Sequence, residues 1–120
     1  MKILIVDDER AYTEFLSERL TRLGNLVECA ADGKSALELI KINKYDLMIM
    51  DHNMPGLTGL ELVKYIKKNN ISGKTVMITG YSDINENLMK MVGVDEYITK
   101  PVKMADIDRI VKKYSAEGRQ

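Results

Sequence analysis

The stretch Leu47-Met48-Ile49-Met50-Asp51-His52-Asn53-Met54-Pro55-Gly56-Leu57-Thr58-Gly59 decides how this chain folds. Its first four residues are an unbroken apolar run without polar alternation, as expected of a strand buried on both faces of a sheet. Asp51 ends the run, and Met54-Pro55-Gly56 turns the chain. Thr58 stands three residues before Glu61, a capping box that opens a helix burying Leu60, Val63 and Ile66. A buried strand, a loop that starts on a carboxylate and a capped amphipathic helix form one unit of an α/β fold.

The same unit recurs on either side. Further short runs rich in β-branched and bulky apolar residues lie at Ile3–Val6, Leu26–Ala30, Thr75–Ile78 and Tyr97–Ile98. Glu28 interrupts the second of these, and the last is very short. Between them, Ala11, Phe15, Leu16, Leu20 and Leu23 share a helical stripe that Gly24-Asn25 stops, and Ala36, Leu37 and Ile40 form another after Asp32-Gly33. Asp83 is the expected cap of a fourth helix, with Ile84, Leu88 and Met91 or Val92 facing inward. A fifth helix carries Val102, Met104, Ile107, Val111 and Tyr114, ahead of the polar residues Ser115–Gln120. Strand and helix alternating five times predict a parallel sheet with right-handed crossovers and helices on both faces.

The 120 residues fit one domain, residues 1–115, with a short tail over 116–120. Lysine plus arginine and aspartate plus glutamate each total 18, and this balance argues against a non-specific nucleic-acid or membrane surface. The apolar run before Asp7 is too short for a secretory or membrane-spanning segment, and Cys29 is the sole cysteine. A cytoplasmic protein without disulfides or zinc is the expectation, with Cys29 a small core residue and the eight methionines core filling.

Parallel strands place all their carboxyl ends on one edge of the sheet, where open α/β sheets bind ligands near the reversal of strand order. Asp7, Asp8, Asp51, Thr79 and Lys100 all follow or end apolar runs, so the topology gathers them there. Three carboxylates drawn together repel, and a hard divalent cation such as Mg²⁺ offsets that repulsion. A lysine adds a point charge suited to phosphate, and a threonine hydroxyl adds a neutral donor. Carboxylate nucleophile, cation, lysine and hydroxyl together suit phosphoryl transfer, which depends on positioning and charge neutralisation. Each residue has an ordinary alternative: a helix cap for Asp7 or Asp8, a turn for Asp51, a strand end for Thr79, a surface lysine for Lys100. Their ordered combination favours the site. His52 reads as a surface or loop histidine.

Four motifs, Ile5-Val6-Asp7-Asp8-Glu9, Asp51-His52-Asn53-Met54-Pro55-Gly56-Leu57-Thr58-Gly59, Ile78-Thr79-Gly80 and Lys100-Pro101, make the chain resemble the receiver domains of two-component response regulators. The likeness covers residues 2–114. It implies a flavodoxin-like (CheY-like) five-stranded parallel sheet of order 2-1-3-4-5 with five helices. It also implies that Asp51 is the phosphoacceptor for a sensor histidine kinase or phosphotransfer protein. Asp8, Asp51 and the Asn53 carbonyl would ligate Mg²⁺, with Asp7 acting through water. Lys100 would pair with the phosphoryl group, Thr79 would turn to it, and Tyr97 would follow inward as an aromatic switch. The face of the fourth helix, fifth strand and fifth helix would then control a downstream partner.

The same resemblance implies a cis Lys100-Pro101 bond, slow autodephosphorylation tuned by Asn53 and Tyr81, and a monomer or weak activation-dependent dimer. Many relatives carry an acidic residue where Thr58 stands. Neither direct nucleic-acid binding nor membrane association is expected of this chain. Two rival functions are an interaction-only pseudo-receiver and a haloacid-dehalogenase-like phosphatase. The latter needs a second aspartate where Asn53 stands.

Overall fold

The computed structural model describes residues 1–80 and 85–117. Five strands and five helices alternate along the chain: β1 (Lys2–Val6), α1 (Arg10–Arg22), β2 (Leu26–Ala30), α2 (Gly33–Ile42), β3 (Leu47–Asp51), α3 (Gly59–Lys68), β4 (Lys74–Thr79), α4 (Glu86–Val92), β5 (Glu96–Thr99) and α5 (Met104–Glu117). All four strand pairings are parallel, and the order across the sheet is β2-β1-β3-β4-β5.

Strand alternation divides the core into two layers. Leu4, Val6, Met48, Met50 and Met77 face α2, α3 and α4 through Ala36, Ile40, Leu62, Val63, Ile66 and Met89. Ile3, Ile5, Leu47, Ile49, Val76 and Ile78 face α1 and α5 through Leu16, Leu20, Ile107, Ile110, Val111 and Tyr114. The central strands β1, β3 and β4 therefore read as continuous apolar runs, because both their faces are covered.

The edge strand β2 behaves differently, and this corrects the expectation for Cys29. With a neighbour on one side alone, β2 leaves Leu26 72% exposed and Cys29 exposed too. The interrupting Glu28 is accommodated at the same edge, accepting a 3.0 Å hydrogen bond from the Tyr45 hydroxyl and pairing with Lys2 at 3.4 Å. Burial and that carboxylate push the Tyr45 hydroxyl up to about 12.

Two helices also depart from the sequence pattern. In α1 the buried positions are Thr13, Leu16 and Leu20, whereas Ala11, Phe15 and Leu23 are exposed. Thr13 is tolerated inside because its hydroxyl donates to the Arg10 carbonyl at 3.0 Å. In α4 the cap is Asn85, whose side chain accepts from the Leu88 amide at 2.8 Å. This start leaves Met89 as the buried residue, with Leu88 and Val92 half-buried and Met91 exposed. The expected cap Asp83 and its neighbour Ile84 lie outside the described residues. The α3 capping box forms as read, with Thr58 and Glu61 each accepting from the other's backbone amide at 3.2 Å.

Candidate functional site

The strand order reverses beside β1: the chain passes from β1 to β2 on one side, then crosses to β3 on the other. Open α/β sheets bind ligands at such a reversal, outside the carboxyl ends of the strands, here the ends of β1 and β3. Backbone hydrogen bonds carry the sheet ladder one step beyond the strands and fix the loops that follow. The Asp7 amide donates to the Ala30 carbonyl at 3.1 Å, the His52 amide to Ile78 at 2.9 Å, and the Lys100 amide to Thr79 at 2.9 Å. Side chains on short, ladder-tethered loops are held more accurately than side chains on free ones.

One carboxylate oxygen from each of Asp7, Asp8 and Asp51 lies within 4.8 Å of the other two. Asp7 and Asp51 are buried, and Asp8 is exposed. Neither Asp7 nor Asp8 caps α1, whose cap position is Glu9 with no side-chain cap hydrogen bond. That ordinary explanation for the acidic pair therefore fails. Asp7 Oδ1 accepts from the Glu9 amide at 2.9 Å, and Asp51 Oδ1 accepts from the Asn53 amide at 3.0 Å. Asp51 Oδ2 faces Lys100 Nζ at 3.0 Å.

Burial pushes the Asp7 carboxyl above its ordinary range. The Glu9 hydrogen bond opposes the shift, the Asp51 and Asp8 charges add to it, and Lys100 opposes it more weakly. This is an all-oxygen donor set with excess negative charge and one cation beside it. Its residue types fit a small hard divalent cation, which favours carboxylate and carbonyl oxygens.

The remaining expected residues fall into place around this cluster or away from it. Thr79 is buried at the end of β4 and its hydroxyl donates to the Gly80 carbonyl at 2.9 Å, within its own loop. Tyr97 is 39% exposed and lines a surface cleft with Pro101, Lys103 and Arg109, away from the carboxylates. The Lys100-Pro101 peptide is cis, as expected. Tyr81 lies outside the described residues. His52, expected as a surface or loop histidine, lies in the loop after β3 and is half-buried, and its Nδ1 is buried without a hydrogen-bond partner among the described residues. Its positive form would lower the Glu61 carboxyl, which is held down chiefly by the Thr58 amide and hydroxyl.

Sequence reasoning missed Tyr12. It lines a cavity of about 240 Å³ with Asp7, Glu9, Ile78, Lys100 and Val102. A wider cleft of about 630 Å³ lies at the opposite edge of the sheet, among Tyr45, Asp46, Gly73, Lys74 and Asp95. Its carboxylates are spent on the fold: Asp46 accepts from the Lys2 amide, and Asp95 from the Thr75 amide, each at 2.8 Å.

The sheet order and the acidic cluster coincide with a known family. The family model for the response regulator receiver domain matches residues 3–112. The chain belongs to that family. It is therefore the receiver domain of a two-component response regulator, a signalling switch. Similar curated proteins include the transcriptional regulatory protein TctD of Salmonella typhimurium, 31% identical over 90% of this chain and 49% of its own length. Another is the alkaline phosphatase synthesis transcriptional regulatory protein PhoP of Bacillus subtilis, 32% identical over 92% of this chain and 47% of its own.

The chain thus spans about half the length of the curated relatives it matches. Similar solved structures include a Francisella response regulator 1452 receiver domain, with a TM-score of 0.85 at 32% identity, covering 97% of this chain and 98% of that one. The Thermotoga maritima response regulator TrrA, solved in complex with Mg²⁺-BeF, gives a TM-score of 0.83 at 35% identity, covering 94% and 97%. Among the described residues no helix is long and apolar enough to cross a membrane.

Proposed function

We propose that this receiver takes a phosphoryl group onto Asp51 from the phosphohistidine of a sensor histidine kinase or phosphotransfer protein. The observation that carries the reading is the Asp7–Asp8–Asp51 cluster, with Lys100 at 3.0 Å from Asp51. An Asp51 carboxylate oxygen attacks phosphorus as the phosphorus–nitrogen bond breaks. The electron pair returns to the leaving imidazole. Lys100 sits where it can neutralise a phosphoryl oxygen as the new bond forms.

Asp8, Asp51 and the Asn53 carbonyl are the residues that would hold Mg²⁺, with Asp7 acting through water. When bound, the cation offsets charge on the carboxylates and on the transferring group. The Mg²⁺-BeF complex of the Thermotoga relative supports this assignment. Thr79 then exchanges its Gly80 partner for the phosphoryl group, and Tyr97 leaves its exposed position. The pair biases the surface of α4, β5 and α5, through which a partner protein is controlled.

Several curated relatives are named as transcriptional regulators. For this chain a protein partner is the proposed output, with no direct nucleic-acid contact. An interaction-only receiver is the competing reading, and chemistry separates the two. Acetyl phosphate with Mg²⁺ is expected to add one phosphoryl group by intact mass, and Asp51→Asn is expected to add none. Beryllofluoride binding that requires Mg²⁺ covers a phosphoaspartate too short-lived to weigh. Silence in both measurements on the wild-type chain would overturn the phosphoryl-transfer reading in favour of the interaction-only one.

A further inference from the structure

The hydroxyl of Tyr12 is buried and has no hydrogen-bond partner among the described residues. Buried polar groups are nearly always paired, and one that is not weakens the fold. Packing does not require this hydroxyl. The ring rests against the apolar layer between the sheet, α1 and α5, where an aliphatic side chain would serve equally well. The hydroxyl instead adjoins the cavity that Asp7, Glu9 and Lys100 line.

Burial first, then the charges of Asp7, Asp51 and Glu9, push its ionisation up to about 12. The group is thus a protonated donor at any ordinary pH, set beside carboxylates that can only accept. Asp7 accepts the Glu9 amide through Oδ1, and a carboxylate has lone pairs enough to take a further donor.

We propose that Tyr12 is a positioning residue of the cation site: with the divalent cation bound, its hydroxyl donates a hydrogen bond to the Asp7 carboxylate and keeps it oriented toward the cation. The inference rests on the cation reading given above. The structure fits a group that gains its partner on loading, because its hydroxyl is unpaired among the described residues and lines the same cavity as Asp7. Groups that hydrogen-bond to metal-site carboxylates typically change metal affinity by about 10–100-fold.

The test compares wild type with Tyr12→Phe, which deletes the oxygen and keeps the ring. Mg²⁺ affinity is measured by titration calorimetry, and the metal-free melting temperature by circular dichroism. Tyr12→Phe is expected to bind Mg²⁺ about tenfold more weakly while its metal-free form melts no lower than wild type. A purely structural tyrosine would not separate the two readouts. Wild-type affinity in the variant, or a metal-free variant that melts well below wild type, would overturn the inference and leave the cation reading standing. A wild-type chain that fails to bind Mg²⁺ would remove the cation reading and this inference with it.

Discussion

Replacing Asp7 with asparagine should make the metal-free protein more stable and its response to Mg²⁺ weaker. One carboxylate oxygen from each of Asp7, Asp8 and Asp51 lies within 4.8 Å of the other two. At an effective dielectric constant of about 20, two unit charges at roughly that separation repel by about 3.5 kcal/mol. Asp8 is exposed and its contribution is screened by solvent, while Lys100 attracts Asp7 and returns part of the repulsion. A net gain of about 1–2 kcal/mol remains for Asp7→Asn at neutral pH.

Asparagine keeps an acceptor for the Glu9 amide, so that hydrogen bond does not cancel the gain. For a chain of this size about 1 kcal/mol corresponds to about 4 °C, which places the variant's melting temperature roughly 4–8 °C higher. Mg²⁺ at about ten times its dissociation constant would stabilise the wild type by about 1.4 kcal/mol. If the variant binds about tenfold more weakly, the same concentration stabilises it by about 0.4 kcal/mol.

The pH dependence supplies the sign. The folded-state pKa of Asp7 is raised, so the ionised group costs stability above that pKa. The cost disappears as the pH falls toward the unfolded value of about 4, because the folded state then binds the proton more readily. The advantage of Asp7→Asn should therefore shrink on acidification. Thermal unfolding by circular dichroism, with and without Mg²⁺ at several pH values, reads all three effects. A variant that melts below wild type at neutral pH, or one with an undiminished Mg²⁺ response, would refute the reasoning.

Thr58→Ala breaks the α3 capping box and should cost about 1 kcal/mol, or about 4 °C of melting temperature, with Mg²⁺ affinity unchanged by calorimetry. Gly59→Ala would place its Cβ 2.7 Å from Met77 Sδ and 2.8 Å from the Asp51 carbonyl oxygen. It should lower stability by about 1–3 kcal/mol in urea unfolding and, by displacing the end of β3, slow the gain of phosphoryl mass from acetyl phosphate.

The central strands were readable because burial on both faces leaves an uninterrupted apolar signature, as in Ile3–Val6 and Leu47–Met50. Parallel pairing then brings their carboxyl ends together, and this alone suffices to set Asp7, Asp8 and Asp51 side by side. Periodicity failed where an element has a bare side. Phe15 and Leu23 look like core residues of α1 but are exposed, whereas polar Thr13 is buried through a bond to its own helix. Cys29 defied its expected burial because a short apolar run does not show which of its side chains the covering helices leave bare, even where the resemblance makes β2 an edge. Tyr12 was unreadable for another reason: only the folded molecule shows that its hydroxyl lies buried in the cavity it shares with Asp7 and Lys100.

The residues of the proposed switch also divide by how firmly they are held. Asp7, His52 and Lys100 are tied by backbone bonds that extend the sheet, and Asp51 is the last residue of β3, in register with Ile78 of β4. Charge placement in that cluster thus inherits the rigidity of the sheet. Thr79 spends its hydroxyl on the adjacent carbonyl, and Tyr97 is more than one-third exposed on a short strand at the edge of the sheet. Thr79 is buried and its backbone is part of the sheet, so only its hydroxyl is free to turn, at the cost of one local hydrogen bond, whereas Tyr97 has little buried area to give up. A fixed site beside a hydroxyl with one local partner and a partly exposed ring is the arrangement the proposed switch requires. If Asp51 is phosphorylated as proposed, the added group would act on these two side chains first and leave both layers of the core intact.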